Sequence, residues 1–102
     1  MFAAERDRSV EKMSGRLADL DVKIASLRTE LAARSSASKA EASSALSSAV
    51  STLEAQRVAA GEALSDAKTA TRAHWKQVES KSDDSLEQYR RAYDAAKREL
   101  ER

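Results

Sequence analysis

Proline and cysteine are absent from this chain of 102 residues, and glycine occurs only at Gly15 and Gly61. Proline and glycine are the residues that most often mark tight turns, so a chain with almost none of them has few means of building loops that cradle a ligand. The lack of cysteine excludes a disulfide framework and any thiolate metal site, and it leaves the redox compartment undetermined. Together these absences favour an elongated structure over a fold with a ligand pocket.

Aromatic residues and net charge are also scarce. The aromatic residues are Phe2, Trp75, Tyr89 and Tyr93, and much of the apolar fraction is alanine, which argues against a thick globular core. The chain has 18 Lys and Arg against 17 Asp and Glu, a formal net charge of +1. This balance gives no global attraction to nucleic acid, so we expect no nucleic-acid partner.

Signals for export or membrane insertion are missing as well. The first residues, from Met1 to Arg8, lack the basic start and apolar run of a signal peptide, and no stretch approaches the roughly 18 consecutive apolar residues of a membrane span. We therefore expect a cytoplasmic protein that forms a single domain over residues 1–102.

The apolar residues that are present repeat at helical spacings. Over residues 1–34 they alternate spacings of three and four from Val10 to Leu31, which predicts a heptad helix. Over the whole chain these residues form a predicted self-association seam: Val10, Met13, Leu17, Leu20, Ile24, Leu27, Leu31, Leu46, Val50, Leu53, Leu64, Trp75, Val78, Leu86, Tyr89 and Tyr93.

Residues 35–52 form a segment rich in serine and alanine, where the helix has its best chance to break. Ser38 and Glu41 have the spacing of a capping box, in which each side chain satisfies the backbone amide of the other at a helix start. We prefer a hairpin turn near residues 34–38. The alternative is an unbroken helix whose small residues allow a partner to approach closely.

Residues 53–102 follow a longer period and are expected to form one helix with an eleven-residue repeat. The spacings of three, four and four connect Leu64, Ala67, Thr71, Trp75, Val78, Ser82, Leu86, Tyr89, Tyr93, Lys97 and Leu100. Such a period favours straight or slightly right-handed packing. A second bend, less favoured than the first, is considered near residues 80–84, where serine and aspartate are concentrated.

Charged residues in the last segment suggest how two copies would pair. A basic stripe is followed by an acidic one, and the register charges are Lys68, Arg72, Lys76, Glu79, Asp83 and Glu87. An antiparallel self-pairing centred between residues 77 and 78 places each basic residue opposite an acidic one. The competing interpretation is that both stripes face water.

Residues that could act in catalysis or metal binding are few. His74 is the only histidine, and no second ligand lies one helical turn from it. Phosphate-binding loops, nucleophile motifs and paired-carboxylate sites are not recognisable, so we expect no enzymatic activity, no cofactor, no metal and no small-molecule substrate.

One run of residues supports a resemblance. The segment from Leu53 to Leu64, with Trp75 and Tyr93 after it and Leu20 to Ile24 before it, resembles a family of small bacterial coiled-coil proteins that are commonly labelled stress-response proteins. The amphipathic repeats of that family are compared with those of apolipoproteins. The resemblance implies a stress-related role and carries no known biochemical activity or binding residues.

The sequence thus predicts an all-α fold of long amphipathic helices, either a coiled-coil hairpin or an elongated three-helix arrangement. The alternative is a single continuous helix that assembles with other chains. We expect a non-catalytic coiled-coil interaction or scaffold protein, with itself or another protein as the partner. The alternative function is the coating of lipid or other hydrophobic surfaces by amphipathic helices.

Overall fold

Long helices account for nearly all of the chain. The computed structural model describes residues 2–37 and 40–101, with the side chains of residues 35, 37 and 40–43 excepted. Over these residues there are three helices and no strands: α1 spans Phe2–Ala37, α2 spans Ala40–Lys68 and α3 spans Trp75–Glu101. The Cα atoms extend over 56 × 19 × 16 Å, so the molecule is about as long as α1 alone, since 36 helical residues measure about 54 Å.

Sequential helices pack antiparallel, so that α1 and α3 run parallel. Contacts between α1 and α2 pair early residues with late ones, as in Asp21 with Arg57 and Arg28 with Glu54. Contacts between α1 and α3 advance together, from Ser9 with Glu79 to Asp21 with Tyr89. The prediction of an all-α elongated three-helix arrangement is confirmed, and the single continuous helix is not what the chain forms.

The predicted seam forms the core between the three helices of one chain. Its buried members are Val10, Met13, Leu17, Ile24, Leu27, Leu31, Leu46, Leu53, Leu64, Leu86 and Tyr89. Its partly buried members are Leu20, Val50, Trp75, Val78 and Tyr93. Because each buried side chain of this size stabilises the fold by about 1.5–3 kcal/mol, the seam is the main source of stability. The sequence pattern predicts that this seam lies between chains. The structure instead buries it inside one chain.

Small residues that the seam omits let α2 approach α3 closely. Buried alanines lie at positions 60, 63 and 67 of α2 and at position 96 of α3. Ser82 is 1% exposed, and its hydroxyl lies 3.1 Å from the Ala63 carbonyl oxygen and 2.9 Å from the Val78 carbonyl oxygen. The serine therefore sits in the α2–α3 contact with its polar atom satisfied.

The first change of direction separates α1, which ends at Ala37, from the antiparallel α2, which begins at Ala40. This is at the C-terminal edge of the predicted turn at residues 34–38. Ser38 and the side chain of Glu41, which form the predicted capping box, lie outside the described residues.

The second reversal corrects the sequence prediction. The stretch 53–102 is not one helix, because α2 ends at Lys68 and α3 begins at Trp75. The connection is held by amide-to-carbonyl bonds from Thr69 to Asp66 (3.4 Å) and from His74 to Thr71 (3.1 Å). Hydrogen bonds three residues apart close short turns without glycine or proline. The Thr71 hydroxyl and the His74 Nδ1 atom are 3.0 Å apart and add a side-chain bond to the turn.

The bend considered at residues 80–84 does not form, since these residues lie inside α3. Two of their polar side chains, those of Ser82 and Asp83, have partners that are compatible with a helix. Ser82 bonds to backbone carbonyls, and Asp83 accepts a hydrogen bond from Arg16 of α1 at 2.9 Å. A cluster of serine and aspartate therefore marks a helix contact here and not a turn.

Gly15 offers a direct test of helix energetics in α1. A Cβ atom added at Gly15 has nothing within 4 Å, whereas one added at Gly61 lies 2.8 Å from the Arg57 Nη1 atom. We expect Gly15→Ala to raise the free energy of unfolding by up to about 1 kcal/mol, because alanine is the better helix former. Gly61→Ala, the control, should gain less because Arg57 must move. Urea denaturation followed by circular dichroism measures both, and a stability loss in Gly15→Ala would contradict the assignment.

Candidate functional site

The predicted register charges do not form one pair of stripes. Lys68 is the last residue of α2, Arg72 lies in the connection, and Lys76 is in the first turn of α3. A self-pairing centred between residues 77 and 78 requires these three on one continuous helix. That register is therefore wrong, because the chain reverses direction between Lys68 and Lys76.

The acidic members of the predicted register have partners within the chain. Glu79 accepts a hydrogen bond from the Ser9 hydroxyl at 2.9 Å, and Asp83 pairs with Arg16. The pKa of Glu87 is lowered to about 2, chiefly by its hydrogen bond with Arg90 and despite some desolvation, with Arg91 adding to the effect. These residues tie α3 to α1 or to itself.

Potential metal-ligating side chains are dispersed among the residues described. No group of three His, Cys, Asp or Glu side chains in that part of the chain is arranged to hold a metal ion. His74 shares its hydrogen bond with Thr71 in the α2–α3 connection. Within the same part of the chain, none of the helices has an apolar stretch long enough to cross a membrane.

An exposed stripe of small uncharged residues runs along α1 beside its seam. It repeats at spacings of three and four, and its members are Gly15, Ala18, Val22, Ala25, Thr29, Ala32 and Ser36. Three of them directly follow the buried residues Leu17, Ile24 and Leu31. One position is a rotation of about 100° around a helix, so this α1 stripe points away from the core.

A second stripe follows α2 at the same spacings. Its members are exposed or half-buried: Ser47, Ser51, Glu54, Val58, Gly61 and Ser65. We call the two stripes together, with Asp21, Arg28 and Arg57 in the groove between them, the α1–α2 face. Of the large apolar side chains with described exposure, Val22 (73%) and Val58 (59%) are the exposed ones, and both lie on this face.

Two ion pairs cross the groove with opposite polarity. Arg57 of α2 lies 2.9 Å from Asp21 of α1, and Arg28 of α1 lies 2.7 Å from Glu54 of α2. The acid is thus on α1 at one level and on α2 at the next. Each pair is about half exposed, so its contribution to stability is small, and its main effect is on charge pattern.

Cavities open between and beside these pairs. One of about 400 Å³ is bounded by both ion pairs, with Ile24, Leu53 and Val58 as apolar walls. A neighbouring one of about 380 Å³ continues along the groove over Leu31, Leu46 and Val50. The groove is therefore apolar at its base and charged only where the ion pairs cross it.

Asp21 connects the groove to the core. Its Oδ1 atom accepts a hydrogen bond from the Tyr89 hydroxyl at 2.7 Å, while Arg57 donates to the same carboxylate. Tyr89 is 2% exposed, and burial together with the bond to Asp21 raises the pKa of its phenol above the ordinary value. Asp21, Arg57 and Tyr89 come from three different helices and fix how the helices are rotated about their axes.

A separate cluster occupies the end of the bundle where α1 begins. The ring of Phe2 meets Trp75 edge to face at a centroid distance of 6.1 Å. The guanidinium groups of Arg6 and Arg72 lie 5.7 and 5.8 Å from the centre of the Phe2 ring, and Arg6 also donates to the Ala70 carbonyl. This cluster combines half-buried aromatic rings with two cations.

Sequence reasoning missed the α1–α2 face, although the signal was present. The stripe from Gly15 to Ser36 has the same heptad spacing as the seam, displaced by one or two positions, but its residues are too small to stand out by hydrophobicity. The cross-helix ion pairs could not be found without knowing which helices are neighbours.

Comparison of the chain with protein-family models, with curated proteins and with solved structures finds no match in any of the three.

The Tyr89 hydroxyl gives a testable link between Asp21 and stability. We expect Tyr89→Phe to lower the free energy of unfolding by about 1–2 kcal/mol at neutral pH. Because the folded state holds the phenol proton more tightly, the wild type should lose stability as the pH rises above about 10, where the unfolded chain releases that proton.

This alkaline loss should be weaker in Tyr89→Phe and unchanged in the control Tyr93→Phe, whose partly buried ring packs against the core but is not bonded to Asp21. Denaturant titrations at several pH values measure the slopes. Equal slopes in the wild type and Tyr89→Phe would contradict the role given to this hydrogen bond.

Proposed function

We propose that this chain is a non-catalytic interaction or scaffold protein of the cytoplasm, and that its α1–α2 face docks helices of protein partners. The observation that carries the proposal is the position of Val22 and Val58. These exposed apolar side chains lie at the same level of a face that is otherwise small and uncharged outside the groove pairs. A pair of exposed valines on a face of small side chains offers apolar surface that a partner helix can cover.

The outer surface of α3 provides the contrast. Exposed residues at the same spacings there are Lys81, Asp84, Gln88, Arg91, Ala95 and Arg98. That surface is suited to water because it is charged along most of its length. The small side chains of the α1–α2 face instead favour a close approach of another helix, since little side-chain entropy is lost when they are covered. A stress-related role is part of the proposal through the resemblance of the sequence alone.

Site-specific photocrosslinking tests the proposed face. A benzoylphenylalanine at position 58 should form adducts with a protein partner in cells, whereas the same group at Gln88 on the outer surface of α3 should not. Val22→Lys in the same chain should reduce the adduct at position 58, because a charge then lies on the docking face. The adduct is identified by mass spectrometry and its binding repeated with purified proteins. Absence of adducts at position 58, or equal adducts at both positions, would refute the proposal.

A second candidate function rests on the cluster around Phe2. Two aromatic rings beside Arg6 and Arg72 at one end of the bundle are the combination that settles among the headgroups of an anionic membrane surface. In this candidate the protein coats a lipid surface by its end, with its core intact.

Trp75 is the only tryptophan and reports on this second candidate directly. Its fluorescence should shift to the blue with phosphatidylglycerol vesicles and not with phosphatidylcholine vesicles, because the cluster is cationic. Arg72→Glu should weaken the shift, whereas Arg91→Glu on the outer surface of α3 should leave it unchanged. A shift that is the same for both lipids or both variants would exclude recognition by this cluster.

A further inference from the structure

We propose that the occupant of the α1–α2 face is the same face of a second copy, docked antiparallel. The twofold axis lies in the plane of the interface, runs perpendicular to the helices and crosses the groove midway between its two ion pairs. The inference rests on the proposed function, because it names the partner of the same surface. It also differs from the register that the sequence suggested, since it uses α1 and α2 and leaves α3 on the outside.

The polarity of the ion pairs carries the argument. Along the groove, α1 presents Asp21 and then Arg28, while α2 presents Arg57 and then Glu54 at the same two levels. A twofold axis between the levels brings Asp21 of one copy opposite Arg28 of the other, and Arg57 opposite Glu54. Each acidic group then faces a basic group both within its chain and across the interface. Such complementarity selects register and orientation.

The side chains around these charges permit close contact in that orientation. The axis stacks α1 on α1 of the second copy, and the α1 stripe has alanine at every seventh position, at Ala18, Ala25 and Ala32. Val22 of each copy then lies opposite the gap between the stripe residues Ala25 and Thr29 of the other. A large side chain is thereby placed against small ones, as in packed helix interfaces.

The size of the face is sufficient for a specific dimer. It runs about 30 Å along α1 and is two helices wide, so each copy contributes about 600 Å² and the interface buries about 1,200 Å² in total, within the range of specific complexes. Adding a second copy converts the three-helix bundle into a six-helix assembly in which α3 of each copy is outermost.

A twofold axis that runs parallel to the helices would also place unlike charges opposite each other. It would stack α1 on α2 of the second copy, with Asp21 over Arg57 and Arg28 over Glu54.

The two arrangements respond differently to an exchange of the second ion pair, Arg28 with Glu54. In the double variant Arg28→Glu, Glu54→Arg, the ion pair within the chain persists. The antiparallel dimer then places Asp21 opposite the new glutamate at position 28 and Arg57 opposite the new arginine at position 54, whereas the parallel one stays complementary.

Analytical ultracentrifugation over a concentration series provides the test. We expect the purified wild-type chain to form a dimer, and the exchange variant to dissociate with a constant at least about tenfold higher, because like charges meet at four places. Arg16→Asp, Asp83→Arg exchanges a pair of matching length and exposure between α1 and α3, away from the face. This control should dimerise like the wild type, and circular dichroism verifies that both variants are folded.

Each result decides the matter. A wild-type chain that remains monomeric at millimolar concentration overturns the inference, and so does an exchange variant that dimerises as tightly as the wild type, which would indicate the parallel arrangement. Equal weakening by the control exchange would also overturn it, because the effect would not depend on the face. If the chain is monomeric but crosslinks to another protein at position 58, the second copy is excluded while the proposed function stands. Absence of any crosslink at that position removes both.

Discussion

Burial of one apolar seam per helix is the constraint on which the rest of the structure depends. An isolated helix leaves its apolar seam in water, and a pair of helices covers each seam on one side only. The narrow seams of α1, α2 and α3 are therefore fully buried only when all three helices pack together. Residues such as Leu31, Leu53 and Leu86, each 1% exposed, show how fully the three-helix arrangement removes them from solvent. The absence of disulfides leaves this burial as the main stabilising term.

The same constraint decides which surface is left over. Once α3 covers the seams of α1 and α2, no helix among the described residues packs on the side of these two helices that faces away from α3. In an ordinary solvated surface such a side carries charges, as the outer surface of α3 does. The α1–α2 face instead carries Gly15, Ala18, Ala25 and two exposed valines, so its composition does not follow from the fold and requires another explanation. Docking of a helix supplies one.

Much of the fold followed from spacing, because large apolar residues at heptad positions identify their own faces. The seam of α1 could be anticipated in this way, whereas the end of α1 was anticipated from the serine- and alanine-rich composition of residues 35–52. The break after Lys68 could not, since Ala67, Thr71 and Trp75 keep helical spacing across a turn closed by backbone bonds and Thr71. Neither could the groove: Asp21 and Arg57 are 36 positions apart, and only the packing of helices makes them neighbours.

The groove and the core are also coupled through a single carboxylate. Asp21 accepts hydrogen bonds from half-exposed Arg57 and from buried Tyr89, so a charge that approaches the groove from outside acts on a group that orients the core. In the proposed docking, a partner that presents a cation to Asp21 stabilises the ionised carboxylate, whereas a partner that presents an anion is repelled by it. In the proposed docking, discrimination by charge therefore takes place at the level where the helices are tied together. The polarity of two half-exposed ion pairs, each of little consequence for stability, is what such recognition would depend on.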